Sequence, residues 1–211
     1  MAGDTAIADA GETLVGLLSG RLWGSDLADE SKVALASPAA LGADTDVRLG
    51  LFLYRVSENE HLRNADRTEV ETAAGTVDPE RRQVPPMALD LHYLLTAYPS
   101  EGGADETTKT RDQHRVLGRA MQVLRDNAVV TGSDLQGSLV ADGELRLAMD
   151  VKPTEEVFNI WNTFDETPYQ PSVAYVVGPV LVESRGPAEA VTRLVEGRLE
   201  LQGRGQERDD G

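Results

Sequence analysis

Residues 88–98 read ALDLHYLLTAY, and this stretch decides the fold. Successive side chains of a strand point to opposite faces, which puts Leu89, Leu91, Tyr93 and Leu95 on one side and Asp90, His92, Leu94 and Thr96 on the other. One face is wholly apolar and the other is mixed, the pattern of a strand in a sheet packed on a core. Upstream, VRLGLFLYRV at 47–56 is a second strong strand. Its alternation breaks because 51–54 are all apolar, as expected where both faces are covered. KVALAS at 32–37 is a short strand candidate that stops at Pro38. Residues 5–20 place Ile7, Leu14, Val15, Leu17 and Leu18 on one side of an amphipathic helix.

Downstream, 111–125 carries Val116, Leu117, Ala120, Met121 and Leu124 as a helical stripe, with Asn127 as its stop. A turn-rich stretch at 131–143 holds Leu135, Leu139 and Val140, and LRLAMDV at 145–151 alternates as a strand. The segment 154–164 reads as a helix capped by Thr154, with Val157, Ile160, Trp161 and Phe164 as its apolar face. Trp161 is expected in the core, and Tyr169, in the Pro-flanked turn TPYQP, is expected at the surface. The last strand, 172–183, is interrupted by Gly178–Pro179, which predicts a bulge or an edge position. Residues 57–86 turn polar and read as a long loop, functional or disordered, and 99–110 as a linker. The sum is an α+β fold: a single mixed or antiparallel sheet of four to five strands packed by about three helices. One domain is expected over 1–184, followed by a charged tail over 185–211 whose end, Gly203 to Gly211, has the composition of a disordered segment.

Composition narrows the function. Asp plus Glu number 36 against 20 Lys plus Arg, a formal charge of −16, and such a field repels nucleic acid and anionic membrane. No apolar run approaches the ~20 residues that span a bilayer. Asp4 and Asp9 stand where a secretory signal needs positive charge. The chain has no cysteine, which removes disulfides, thiol nucleophiles and thiolate metal sites. Only Lys32, Lys109 and Lys152 are lysines. An acidic, lysine-poor chain fits work in concentrated salt, where self-repulsion is screened, or alternatively an arginine-preferring genome.

The catalytic inventory is poor. His61, His92 and His114 lie on different elements with no metal-ligand spacing, and no serine elbow or phosphate loop is present. No cofactor or metal is expected. Asp90 and His92, two apart on one strand face, are the best catalytic pair available and would make the chain a hydrolase. The 157–164 helix face would instead make it an adaptor for another protein, a reading that needs Trp161 exposed. Asp150, at the end of a strand, and Glu155 with Glu156, at a helix start, are best explained by solvation and the helix dipole. In the run Ser57 to Asn64, Arg55 and Arg63 are placed to order the loop by pairing with Glu58 or Glu60. The interaction inventory is better, and its candidate residues are Arg55, Asn59, Arg63, Asn64, Tyr169 and Tyr175.

Four segments then read together: LFLYRVSENEHLRN (51–64), PPMALDLHYLLTAY (85–98), HRVLGRAMQVLRDNAVV (114–130) and VFNIWNTFDETPYQPSVAYVVGPVLVES (157–184). Their order, with Asn59 and Leu62–Arg63–Asn64, Leu89–Asp90–Leu91, His114 with Leu117–Gly118, and Trp161–Asn162 with Pro168–Tyr169, resembles a known family. That family is the N-terminal domain of tail-cap, or sheath-terminator, proteins of extracellular contractile injection systems of the antifeeding-prophage and Photorhabdus-virulence-cassette type. The resemblance implies a structural role without catalysis: closing the end of tube and sheath distal to the baseplate, as a hexameric ring. It implies sheath and tube proteins as partners, while the acidic charge already argues against nucleic acid and membrane. Assembly would be in the cytoplasm, within a particle that can be released from the cell. The loop 57–86 and the chain after Ser184 are expected to make most contacts. The sequence ends soon after Ser184, where larger members extend.

Overall fold

The strand read from 88–98 is the centre of a six-stranded sheet in a computed structural model of the chain. The structure describes residues 3–22, 33–41, 46–62, 68–71, 77–83, 86–99, 105–141, 143–164, 167–183 and 189–190. In chain order the elements are α1 (Ala6–Leu22), β1 (Val33–Leu35), β2 (Leu49–Glu58), β3 (Thr68–Glu71), β4 (Val77–Gln83), β5 (Met87–Ala97), α2 (Glu106–Asp126), β6 (Val129–Thr131), β7 (Glu144–Met149), α3 (Thr154–Trp161), β8 (Ser172–Val182) and β9 (Glu189–Ala190). The large sheet runs β1-β2-β5-β8-β7-β6. β1 lies parallel to β2 and every other pair is antiparallel. This is the expected α+β fold with one mixed sheet. The strand missed in that sheet is β6, three residues long and carrying only Val130 inward.

β5 keeps the faces its alternation set. Leu91, Tyr93 and Leu95 are at most 1% exposed and pack beneath α1 and α2 with Leu49, Leu51, Leu145, Leu147 and Val177. Leu14, Leu18 and Leu22 of α1 and Val116, Ala120 and Leu124 of α2 close this core. Each fully buried leucine contributes about 1.5–3 kcal/mol of transfer free energy.

Two bulges explain what the sequence pattern left irregular. In β2, Leu53 faces Tyr93 but Arg55 faces His92, so Tyr54 is an extra residue. Without it Arg55 would land on the core face. The bulge moves it to the opposite face, and the apolar run 51–54 marks the spot. In β8, Val177 faces Leu91 and Val180 faces Leu89, so Gly178 and Pro179 oppose Asp90 alone. The expected bulge is there. The edge position is not: β8 is hydrogen-bonded on both sides, to β5 and β7, and proline is tolerated because a bulged residue owes no ladder bond. A Cβ at Gly178 would come within 2.9 Å of the Leu89 carbonyl oxygen, so the close crossing requires glycine.

Helix α2 starts at Glu106, inside the expected linker. Asp105 caps it, accepting from the Thr108 amide at 3.0 Å and the Thr108 hydroxyl at 2.9 Å. The residue before α3 is Pro153, and Thr154, expected as its cap, is the first helical residue. The turn-rich stretch forms two 3₁₀ turns, Gly132–Asp134 and Gly137–Ala141, that drop Leu135 and Leu139 into the core. They are pinned to α1 by Asp9, whose carboxylate accepts from the Ser138 amide at 2.9 Å, the Ser138 hydroxyl at 2.5 Å and the Thr5 hydroxyl at 2.9 Å. Gly137 has a φ of +56°, and any side chain there would run into that carboxylate. Arg21 adds a second pin through Asn127 and, at 2.5 Å, Asp134.

The polar stretch expected as a loop contains β3 and β4, which pair with β9 from the expected tail as a separate three-stranded sheet, β3-β4-β9. Their sequences, TEVE and VDPERRQ, hold too few apolar residues to register as strands. The chain divides into two compact units, Met1–Asp66 with Pro85–Arg185, and Arg67–Val84 with Gly186–Gly211. The two segments singled out as contact-making, after β2 and after Ser184, thus contribute to one unit. Arg63, Asn64 and the stretch Gly203 to Gly211 lie outside the described residues.

Candidate functional site

Among the described residues, the face of the large sheet opposite α1 and α2 brings aromatic and polar side chains together. Its inner part is aromatic. α3 lays Trp161, 4% exposed, and the following Phe164 over Phe52 of β2, with Phe164 edge-on to both Phe52 at 5.3 Å and Trp161 at 6.0 Å. The ladder continues from Trp161 to Tyr169 and from Tyr169 to Phe158, each at 5.3 Å between centroids. Leu94 and Ala174 are buried beneath it. Trp161 is in the core, as expected, and the adaptor reading, which needed it exposed, falls. Tyr169 stays half exposed, as expected of the turn.

The outer part is polar. His92 bonds through Nε2 to the Ser57 hydroxyl at 2.8 Å and through Nδ1 to Asp150 Oδ2 at 3.1 Å. With a proton on Nδ1 the ring donates to Asp150, and its Nε2 faces the Ser57 hydroxyl. Asp150 also takes Lys152 Nζ at 3.2 Å and the Tyr54 hydroxyl at 3.4 Å. Burial works to raise the Asp150 pKa, but the hydrogen bonds and charges of His92 and Lys152 outweigh it and hold the carboxyl below its ordinary range. Burial first, and then the Asp150 charge, push the Tyr54 phenol up to about 12. Asp150 reaches across β8 to make these contacts, and its amide donates to the Ala174 carbonyl at 2.9 Å.

The Asp90–His92 pair, the alternative that a hydrolase would need, is not formed. Asp90 is taken by Asn59, whose Nδ2 donates to both carboxylate oxygens at 3.0 and 3.1 Å, while Asn59 Oδ1 accepts from the amides of His61 and Leu62, each at 3.1 Å. Asn59 therefore does the loop-ordering expected of Arg55, which is exposed. Tyr175, a candidate for an interface, faces Tyr93 across the ladder and is 8% exposed. It is a core residue, since the parity of β8 turns it under the helices. Ser57 and Asp150 are the members of the His92 network that sequence reading missed. The Ser57 link follows from the Tyr54 bulge, and the Asp150 link spans an intervening strand, so neither has a local signal.

Ser57, His92 and Asp150 stand in the hydrogen-bond order of a nucleophilic triad. Chemistry would need more: a nucleophile lifted on a strained turn and a donor pair waiting for the oxyanion. Ser57 instead lies within β2, paired opposite Asp90, and Asp150 is shared with a lysine and a tyrosine. The network ties β2, β5 and the lead-in to α3 together. A fluorophosphonate serine probe is accordingly expected to leave the folded protein unlabelled at pH 8, by intact mass. Stoichiometric labelling of Ser57, lost in His92→Ala, would contradict the structural assignment.

An aromatic ladder and a polar hydrogen-bonded network thus share one face of the six-stranded sheet of an α+β fold. The chain belongs to the Pvc16 N-terminal domain family, which it matches over residues 9–195. The fold is similar to that of a sheath/tube terminator of an extracellular contractile injection system in its extended state, with a TM-score of 0.60 at 15% identity, over 98% of this chain and 67% of that one. It is also similar to the tube-terminating cap of the anti-feeding prophage, with a TM-score of 0.51 at 17% identity, over 90% of this chain and 58% of that one. No curated protein matches. Among the described residues no helix is long and apolar enough to cross a membrane, and no group of three or more His, Asp or Glu is placed to hold a metal ion.

Proposed function

We propose that this chain is a non-enzymatic cap that closes the end of the tube and sheath of a contractile injection system, distal to the baseplate, as a closed ring of copies. Membership of the Pvc16 N-terminal domain family carries the reading, supported by a fold shared with a sheath/tube terminator and a tube cap. The physics is simple. A growing end presents unpaired backbone and side-chain surface to the next subunit, and a protein that covers it without renewing it stops growth. The free edges of the described six-stranded sheet are β1 and β6. They replace β8 as the strands available for pairing with a neighbour. In this reading the contact-makers are these edges, the unit built around β3, β4 and β9, and the exposed side chains of Arg55 and Tyr169. Arg63 and Asn64, which follow Asn59 in the sequence, are proposed as contact residues as well. Six copies are the proposed ring number, by analogy with the family. Electron microscopy of particles made with and without the chain tests the reading.

A further inference from the structure

Two surfaces of the larger unit differ in charge, and they lie on opposite faces of its sheet. From Pro153 to Ser184 the sequence holds Glu155, Glu156, Asp165, Glu166 and Glu183 and no lysine, arginine or histidine. The cation just before it, Lys152, is engaged by Asp150 at 3.2 Å and Glu156 at 3.4 Å. One turn along α3 from the exposed Glu155 stands Phe158, paired with Tyr169; the two rings are 47% and 50% exposed and 5.3 Å apart between centroids. Tyr169 is held from beneath by buried Trp161, so the pair is a fixed projection. Preorganised aromatics of this kind anchor interfaces, because little side-chain freedom is lost on docking.

α2 is the reverse. In a chain of net charge −16 it carries Lys109, Arg111, Arg115, Arg119, Arg125 and His114 against Glu106, Asp112 and Asp126. Arg111, His114 and Arg115 are exposed and, with Glu106, Thr107 and Thr110, line a shallow, open concavity along α2. Guanidinium groups stack on aromatic faces, and a neighbouring carboxylate adds a charge-assisted pair.

We infer that the Phe158–Tyr169 projection of one copy docks in the Arg111–His114–Arg115 concavity of a second copy, with Glu155 facing Arg111. This deepens the ring proposed above and rests on it. α2 packs on the face of Leu91 and Tyr93, and the ladder on the face of Phe52 and Leu94. The contact is therefore head to tail: each copy offers its ladder to one neighbour and its α2 to the other, the arrangement that closes into a ring or runs on as a filament.

The absence of cysteine makes the test clean. The full chain carrying both Tyr169→Cys and His114→Cys, oxidised at high concentration and within capped particles, is expected to give a reducible ladder of covalent dimers, trimers and higher species. Each single-cysteine variant stays monomeric. Because Tyr169 also packs on Trp161, the pair Glu155→Cys with Arg111→Cys, at exposed positions, repeats the test without touching the ladder. Glu155→Arg or Arg111→Glu alone is expected to weaken self-association tenfold or more, and the double reversal to restore it. No ladder from either pair in particles that are capped overturns the docking and leaves the cap reading standing, as does a double reversal no better than the singles. Ladders in the purified protein with particle ends that lack the chain support the docking and remove the cap reading.

Discussion

Trp161→Ala lowers the free energy of unfolding by about 3–5 kcal/mol, the range for truncating a buried tryptophan where the surroundings collapse only partly. Trp161 is 4% exposed, and Phe164 and Tyr169 both stand edge-on to it at 6.0 and 5.3 Å. The cavity would open under α3, a helix of eight residues that has no side-chain cap and therefore depends on packing. The indole Nε1 is buried without a hydrogen-bond partner. Trp161→Phe removes that orphan donor along with part of the ring, so its loss should be far smaller than that of alanine. Urea unfolding followed by far-UV circular dichroism separates the two. Equal losses for Phe and Ala, or an alanine variant within about 1 kcal/mol of the parent, would mean that the ladder does not hold α3 to the sheet.

Asp9→Ala is expected to cost about 2–3 kcal/mol at pH 7, because the amide and hydroxyl of Ser138 and the hydroxyl of Thr5 lose their shared acceptor at a buried position. The hydrogen bond from the Ser138 hydroxyl, chief among these contacts and opposed by burial, holds the Asp9 carboxyl below its ordinary 3.8. A carboxylate whose folded pKa is depressed contributes stability that is complete well above the unfolded value. That contribution fades as pH falls through 3.8 toward the folded pKa. The difference between parent and Asp9→Ala should therefore be largest at neutral pH and shrink on the acid side. Asp105 and Asp150 are depressed as well, so the parent alone would not isolate Asp9, whereas the difference does. A gap that stays constant from pH 7 to pH 3 would assign the loss to packing rather than to the carboxylate.

Much of the fold was legible in the sequence because strong strands and helices here carry uninterrupted patterns. β5 could be placed face by face from ALDLHYLLTAY, and Trp161 from its stripe with Val157, Ile160 and Phe164. What failed was governed by pairing rather than by local pattern. β3, β4 and β9 are short and charged, and they become strands through partners far apart in sequence. The edge assignment of β8 rested on one proline, which a two-against-one bulge accommodates in the sheet interior. The site followed the same rule. Asn59 was singled out for its place in a polar loop, and the structure gives it Asp90. His92 found its carboxylate 58 residues away, across β8, and not two residues away on its own strand. The start of α2 was readable after all: Asp105 followed by Thr108 is a capping pattern hidden within a stretch taken for a linker.

The central claim is that this chain ends a polymer. Its most direct test is electron microscopy of particles assembled with a gold-labelled form of the chain, alongside particles assembled without it. The account predicts label at one end only, opposite the baseplate, and in the chain's absence particles of widely scattered length with open distal ends. Label distributed along the sheath, label at the baseplate, or normal lengths and closed ends without the chain would contradict it.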